Sequence, residues 1–461
     1  MTGGPLRDEI TGLRNRFAIL LSRLVDVNHK NRKRIARISH PIGVLPLLGW
    51  LAFACTAKAQ PVLMEPPQYS VPPPASPMAQ NNEMQVFNPA ASFLNMLEEI
   101  NPYQWGPVSF RPSFTYSFSY ATGVQSNPGS SSDSIVQTVS PSFLFLLGTH
   151  WSLDYTPSWT FYSSSQLQNS LSHSVAVNWG TSYEDWGLGF SQGYTRSDSP
   201  TIQTGAQTDQ QGISTALNAS YQFNTQMSLS MEVSQNINLV SNSGNATNSV
   251  GTLANSYSWS TMEWLNYQFW PRLTAGIGAG VGYATQAGSP DSVNEQYQGR
   301  VNWRATDKVS FGLNGGVQVQ QYLGSGAAGD LITPVFGGSI QYQPIKPTQL
   351  TLSANRSVSP SYYQSQSSET TTLTAALNQQ FKKNFTLGLT GGYATTSYSA
   401  TSTGVVAGGN NDTYSFSASL SHPLTKRGTI SVNYSYSENS SNNQGLSYSS
   451  NQIGVQIGYQ F

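Results

Sequence analysis

Histidine is the residue type in this sequence that would act as an acid or base near neutral pH. Beyond residue 100 the chain has His150, His173 and His422. His150 lies in a predicted tight turn, and the other two fall on the apolar phase of predicted strands. A hydrolase needs a nucleophile, a base and an orienting carboxylate or amide in reach of one another. The sequence pattern brings no such set together, so we do not predict an enzyme.

A glycine-rich segment, Gly276–Gly282, looks at first like a phosphate-binding loop. Nucleotide loops of that kind connect a strand to a helix. Here the glycines alternate with Ile277, Ala279 and Val281, and no helical periodicity follows. The segment therefore predicts a strand with one glycine face that leaves room beside it, and no cofactor is predicted.

Neither a metal site nor a nucleic-acid interface is predicted. The only cysteine, Cys55, lies near the N-terminus, and the histidines are too scattered for a transition-metal site. After residue 59 the chain has 12 basic and 19 acidic residues, out of 22 of each in the whole chain. An acidic chain does not attract the phosphates of a nucleic acid.

Five charged side chains stand on the polar phase of alternating segments: Arg111, Asp154, Glu232, Arg300 and Arg304. If that phase lines a water-filled lumen, they are either solvated wall residues or a ring that selects ions. Which of the two holds depends on the elements that carry them.

Those elements are strands, because the apolar period is two from Trp105 onward. In Val108–Tyr120 the even positions are Val, Phe, Pro or Tyr, and the odd positions are Ser, Arg or Thr. Successive side chains of a strand point to opposite faces, so one face is apolar and the other wet. The alternation rule gives about eighteen strands, centred on residues 114, 141, 156, 175, 190, 217, 233, 263, 278, 299, 315, 337, 353, 375, 390, 418, 433 and 455.

Turn lengths and composition together predict a membrane barrel. Tight turns such as 148–150 separate every second pair of strands, and longer connections such as 122–133 and 195–208 separate the others. Charged residues make up 10% of the chain and aromatic residues 11%, and no run of about 20 apolar residues exists for a membrane helix. The prediction is an all-β, transmembrane, antiparallel up-and-down β-barrel with short periplasmic turns and longer extracellular loops. A soluble β-sandwich would instead place its aromatic residues in a core.

The first 59 residues are predicted to be an N-terminal extension and a cleaved secretory signal. A basic region around Lys30–Arg37 precedes the apolar stretch Ile42–Ala54, and Ala57-Lys58-Ala59 offers the small residues that a signal peptidase reads. We expect cleavage between Ala59 and Gln60. Two alternatives stay open: Cys55 as a lipoprotein acceptor, and Val27 as the true translation start.

Residues 60–104 are predicted to be a proline-rich periplasmic linker with one short helix. Seven prolines lie within residues 61–87, a composition that favours an extended chain. Asn88-Pro89 then fits a helix start. The helix either docks on the barrel mouth or binds a partner, and residues 105–461 form the barrel.

Glu263 does not fit the alternation. It falls in phase with Trp259 and Leu265, which would direct a carboxylate toward lipid. A β-bulge near Ser260-Thr261 would turn it inward, but would then misplace Leu265 and Tyr267.

The chain ends in alternation, with Ile453, Val455, Ile457, Tyr459 and Phe461 on one phase. In this respect it resembles bacterial outer-membrane β-barrel proteins, more loosely the porin type with a proline-rich N-terminal extension. The resemblance covers about residues 105–461. It implies integral insertion in outer-membrane lipid and an assembly signal at Tyr459 and Phe461 that the barrel-assembly machinery reads.

The lumen wall and the resemblance favour an outer-membrane porin-like channel for passive diffusion of small hydrophilic solutes. A barrel component of a polysaccharide export system is the alternative, since hydroxyl and amide side chains suit sugar chains. A non-conducting surface scaffold or adhesin is the third possibility.

Overall fold

A computed structural model describes residues 103–198, 207–242, 253–381, 384–406, 408–443 and 445–461. The predicted signal with its cleavage point at Ala59 and Gln60, the proline-rich linker up to residue 102 and the predicted short helix lie outside these residues. In the described part of the chain, no helix is long and apolar enough to cross a membrane.

The described residues form nineteen strands, and every predicted strand centre falls inside one of β2 to β19. Their bounds are β1 Tyr103–Trp105, β2 Val108–Asn127, β3 Ser130–Leu147, β4 Trp151–Tyr162, β5 Ser170–Tyr183, β6 Trp186–Ser197, β7 Thr208–Gln222, β8 Met227–Asn242, β9 Ser256–Trp270, β10 Leu273–Gln286, β11 Asp291–Trp303, β12 Val309–Leu323, β13 Leu331–Ile345, β14 Thr348–Pro360, β15 Gln366–Phe381, β16 Phe385–Ala400, β17 Asn411–Pro423, β18 Gly428–Ser441 and β19 Tyr448–Gln460.

Strands β2 to β19 close into an antiparallel barrel. Each pairs with the next along the chain, and β19 pairs back onto β2 with Tyr459 opposite Phe114. The short strand β1 pairs with the same edge of β2 nearer its N-terminal end, with Trp105 opposite Val108. The amide of Phe461 donates to the carbonyl of Pro112 at 3.1 Å, so the last residue fills the step between β19 and β1. The predicted eighteen-strand barrel is confirmed.

The outer face is apolar between two aromatic bands. Trp151, Trp270 and Trp303 stand exposed where strands meet the short turns, which we call the short-turn end. Near the opposite, loop end, tyrosine hydroxyls on the outer face donate to carboxylates, which marks the limit of the apolar band. These pairs are Tyr120 with Asp133 at 3.2 Å, Tyr283 with Asp291 at 2.6 Å, Tyr393 with Asp412 at 3.0 Å and Tyr436 with Glu438 at 2.5 Å.

Glu263 lies on this apolar outer face. The pairing of β9 with β8 and β10 runs without interruption past Ser260-Thr261, so the bulge hypothesis is wrong. Glu263 stands between Met231 and Ala279 of the neighbouring strands. Leu265 and Tyr267 keep their outward phase as a result. A carboxylate on the lipid face costs less than an arginine or lysine there, which is how the strand accommodates it.

The connection between β2 and β3 is not the long loop predicted over 122–133. The two strands continue pairing with irregular register up to the turn Pro128-Gly129. A Cβ at Gly123 would lie 2.0 Å from the carbonyl oxygen of Ser449, and its φ is +69°, so only glycine fits there. Polar residues that resemble a loop thus form an extended hairpin arm because β18 and β19 support it.

Candidate functional site

Four of the five predicted lumen charges stand on the inward face of a strand. Arg111 is in β2, Asp154 in β4, Glu232 in β8 and Arg300 in β11, each on the opposite phase from an exposed apolar residue of its strand: Phe114, Trp151, Val233 and Val301, respectively. Arg304 follows the last residue of β11 and is exposed in the turn to β12. The four strands that carry these charges, β2, β4, β8 and β11, do not pair with one another.

Asp154 is held by hydroxyl groups. Ser142 and Thr156 each donate to its Oδ1 at 3.2 Å. The carboxylate is therefore solvated by the wall itself.

Arg300 lies in a different setting, above the glycines of β10. Its Nε donates to Oδ1 of Asn266 at 2.8 Å. Its Cζ lies 4.4 Å from the ring centroid of Trp264. Both partners belong to β9, so the side chain of Arg300 crosses the whole width of β10 to reach them.

The inward glycines of β10 make this crossing possible. A Cβ at Gly276 would lie 2.6 Å from Oδ1 of Asn266, and one at Gly278 would lie 2.7 Å from the indole of Trp264. The indole thus rests on the backbone of Gly278. The room that the glycine face was predicted to leave is filled by side chains of the neighbouring strands.

The inward faces of β5, β6 and β7 are called the open wall here. Several of their short polar side chains, Ser174, Asn178, Ser214 and Asn218, are exposed to the lumen. None of these four residues is charged. The open wall therefore presents hydroxyl and amide groups to water.

The inward residues of β11, β12 and β13, called the sealed wall here, are buried toward the loop end although most of them are polar. Gln298 accepts from Asn314 at 3.0 Å and donates to Gln296 at 3.1 Å, and Gln296 donates to Gln318 at 2.9 Å. Gln318 is only 3% exposed. These amides satisfy one another along the wall, as buried polar groups must.

A segment from the loop end, Ser361–Ser365, folds against the wall and is called the strap. Gln286 at the end of β10 donates its Nε2 to the carbonyls of Ser361 and Tyr363, at 2.5 and 3.0 Å. The amide of Ala254 donates to the carbonyl of Tyr362 at 2.9 Å. The strap therefore joins the β14–β15 connection to the ends of β9 and β10.

Tyr363 anchors the strap. Its side chain is buried, and burial raises the pKa of its hydroxyl to about 12. Sequence reasoning did not identify the strap. The signal was there in Tyr362-Tyr363, because two adjacent aromatic residues break the period of two.

The histidines make separate hydrogen bonds. Nδ1 of His150 lies 2.9 Å from the carbonyl oxygen of Gly180, and Nδ1 of His422 lies 3.0 Å from that of Asn384. Nδ1 of His173 lies 3.1 Å from the hydroxyl of Tyr155. No three His, Cys, Asp or Glu side chains among the described residues are grouped to hold a metal ion.

The family comparison adds to this geometry. Residues 291–461, which contain β11 to β19, match the protein family described as "Putative beta-barrel porin 2". The chain is a closed antiparallel β-barrel, and residues 291–461 resemble this porin family. The resemblance drawn from its C-terminal strand is thereby confirmed. No curated protein matches the sequence.

Solved structures with a similar architecture are distant in sequence. OccK2 (OpdF) of Pseudomonas aeruginosa is 12% identical, with 76% of this chain and 98% of that chain covered and a TM-score of 0.42. OpdK of the same organism is 12% identical over 77% and 99% of the two chains, with a TM-score of 0.41. The siderophore receptor PirA of Acinetobacter baumannii is 7% identical over 76% and 80%, with a TM-score of 0.40. Similarity at this level does not indicate a solute.

Proposed function

We propose that the barrel is a channel for passive diffusion of small hydrophilic solutes across the outer membrane. The observation that carries the proposal is the open wall, where uncharged hydroxyl and amide groups of β5 to β7 face the lumen of a closed barrel. Such groups replace the hydration of a polar solute without holding it as an ion would be held.

The width of the barrel supports the same function. Eighteen strands spaced about 4.8 Å apart and tilted about 40° enclose a cylinder roughly 35 Å across between backbones. Barrels of 16–18 strands leave an aqueous channel. The strap and the amides of the sealed wall narrow one side, so solutes pass beside the open wall.

Conductance in planar bilayers tests the proposal. We expect the mature chain to form open channels, and a variant that lacks residues 61–104 to conduct at least as well. Because Arg111 and Arg300 offset Asp154 and Glu232, selectivity should be weakly cationic and fade near about 1 M salt, where screening acts within about 3 Å. A folded barrel that conducts in neither form would contradict the proposal.

Export of a polysaccharide is the second function that an observation bears on. Amide side chains line the wall as a sugar polymer would require, but the strap is bonded to the ends of β9 and β10 at the loop end, where we expect it to narrow the exit for a polymer. The strap therefore favours small solutes. A variant with Ser361–Ser365 replaced by Gly-Ser residues should admit larger neutral polymers in solute-exclusion measurements.

Targeting and assembly remain part of the proposal. We expect the signal to be cut between Ala59 and Gln60, which N-terminal sequencing of the mature protein tests. We also expect the barrel-assembly machinery to read Tyr459 and Phe461, whose rings lie 5.1 Å apart on the outer face. Phe461→Asp should reduce the amount of heat-modifiable folded barrel in outer-membrane fractions.

A further inference from the structure

The side chain of Arg300 has unused hydrogen-bonding capacity. Its Nε is engaged by Asn266, but neither Nη atom has a hydrogen-bond partner among the described residues. The ion pairs of the described residues are Arg196–Asp209, Arg272–Asp307 and Arg356–Glu369, so Arg300 belongs to none of them. A guanidinium presents its donors as a planar fork, which matches a carboxylate.

The setting fixes the direction of this fork. Trp264 lies against the guanidinium, and the Asn266 bond prevents rotation about Nε. The nearest wall groups on β11 and β12 are the amides of Gln298, Asn302 and Asn314. They add donors and acceptors on that side. On the other side the carboxylate of Glu232 in β8 stands opposite Met262 of β9, two positions from Trp264.

The glycines of β10 would be poor choices for a strand that only had to be stable, since each costs about 0.5–1 kcal/mol relative to alanine. They are accounted for by what lies on them. A Cβ at Gly276, Gly278 or Gly280 would lie 2.6, 2.7 or 2.8 Å from the side chain of Asn266, Trp264 or Met262, respectively, and one at Gly280 would also lie 2.4 Å from the carbonyl oxygen of Thr261. The inward glycines of β10 thus form a shallow trough between β9 and β11. This trough holds the indole of Trp264 and the side chain of Arg300 in place across three strands.

We propose that Arg300, held against Trp264 over the glycines of β10, binds the carboxylate of a small organic anion in transit through the lumen. This inference rests on the proposed channel function and assigns one anion-binding point to the lumen wall. Arg300 supplies the charge and the two Nη donors, Trp264 supplies the apolar platform, and Asn266 orients the fork.

Titration calorimetry on the folded full-length mature barrel in detergent tests the binding directly, with succinate as the probe and its neutral diamide as the control. We expect wild-type protein to bind succinate and not the diamide. Arg300→Gln should weaken succinate binding about tenfold or more, since a charge-assisted hydrogen bond is lost. Trp264→Leu should weaken it severalfold with the charge still present.

Arg111→Gln is the matched control, because Arg111 is also an inward arginine but lies on β2, outside the trough. It should leave succinate binding unchanged. Equal loss in Arg111→Gln and Arg300→Gln would mean that only the net charge of the lumen matters, and this would overturn the site. Unchanged binding in Arg300→Gln would overturn it as well.

A second variant pair tests the trough without altering any charge. Gly278→Val places atoms where the indole rests and should reduce succinate binding severalfold. Gly299→Ala on the adjacent strand is its control, since the nearest atom to the new Cβ is 3.9 Å away. Heat-modifiable mobility in SDS shows whether each variant folds. A folded Gly278→Val barrel with wild-type binding would contradict the role of the trough.

Conductance separates this inference from the channel function. Succinate should briefly interrupt single-channel currents of the wild type but not of Arg300→Gln. A barrel that binds succinate in calorimetry but never conducts keeps the site and rejects the channel. A barrel that conducts but binds no succinate rejects the site and keeps the channel.

Discussion

The open wall and the sealed wall have similar polar composition and opposite accessibility. Asn178 and Asn218 of the open wall are exposed to the lumen, whereas Asn294 and Gln318 of the sealed wall are 5% and 3% exposed. All four stand on the inward face of a strand. Polarity therefore does not decide whether an inward residue meets water.

Side-chain length and a covering segment decide whether an inward polar residue is exposed to water. On the sealed wall, long amides reach across strands and bind one another, with the strap fixed to the end of β10 beside them. On the open wall, Asn218 stands opposite Gly189 and Ser214 opposite Gly193, which offer no side-chain partner, so water solvates them. We infer that a channel of this kind divides its lumen into a structural side and a transport side.

An arginine placed on each wall gives the largest expected difference in the free energy of unfolding. Gln318→Arg would bury a charge without a partner and should lower the free energy of unfolding by about 3–5 kcal/mol. Asn218→Arg on the open wall should change it by less than about 0.5 kcal/mol, because water solvates the guanidinium. Urea titration of the folded barrel in lipid vesicles measures both. Equal costs at the two positions would mean that the walls do not differ.

Replacing an inward glycine with alanine gives the next largest expected difference in the free energy of unfolding. A Cβ at Gly316 of the sealed wall would lie 1.9 Å from the carbonyl oxygen of Tyr297, so Gly316→Ala should cost about 1–3 kcal/mol. At Gly180 of the open wall the nearest atom is 3.8 Å away, so Gly180→Ala should be close to neutral. The same urea titration applies. A neutral Gly316→Ala would show that β11 and β12 can separate without cost.

Truncating one amide on each wall should have a smaller effect. Gln298→Ala removes the partner of Asn314 and of Gln296 and should cost about 1–3 kcal/mol, toward the lower end if water enters the gap. Asn178→Ala should cost almost nothing, since its contact with Ser152 is 3.5 Å long and exposed. If Asn178→Ala were the more costly change, the amide network would not be what stabilises the sealed wall.

The sequence allowed the strands to be predicted because a membrane outside and water inside impose a period of two on each of them. The same alternation puts Arg111, Asp154, Glu232 and Arg300 on the polar phase of their strands, and their role in the lumen stays a prediction. It did not reveal the strap, because Gln286 and Tyr363 lie 77 residues apart and meet only in the folded barrel. Alternation specifies the face of a side chain and carries no information about which distant segment covers it.

The hydroxyl of Tyr363 gives the smallest expected effect and tests whether the strap limits the passage. Its pKa is raised by burial from about 10 to about 12. The neutral hydroxyl is therefore favoured in the folded strap, and its stabilising contribution is complete below pH 10 and lost between about pH 10 and 12. At pH 11 the strap should be weakened by roughly 1 kcal/mol relative to pH 8.

Conductance of the wild type should then rise between pH 8 and pH 11 by more than that of Tyr363→Phe, which keeps the ring and cannot ionise. Other tyrosines and lysines titrate in both proteins, so the difference between the two isolates Tyr363. An identical rise in both would mean that ionisation of Tyr363 does not open the strap.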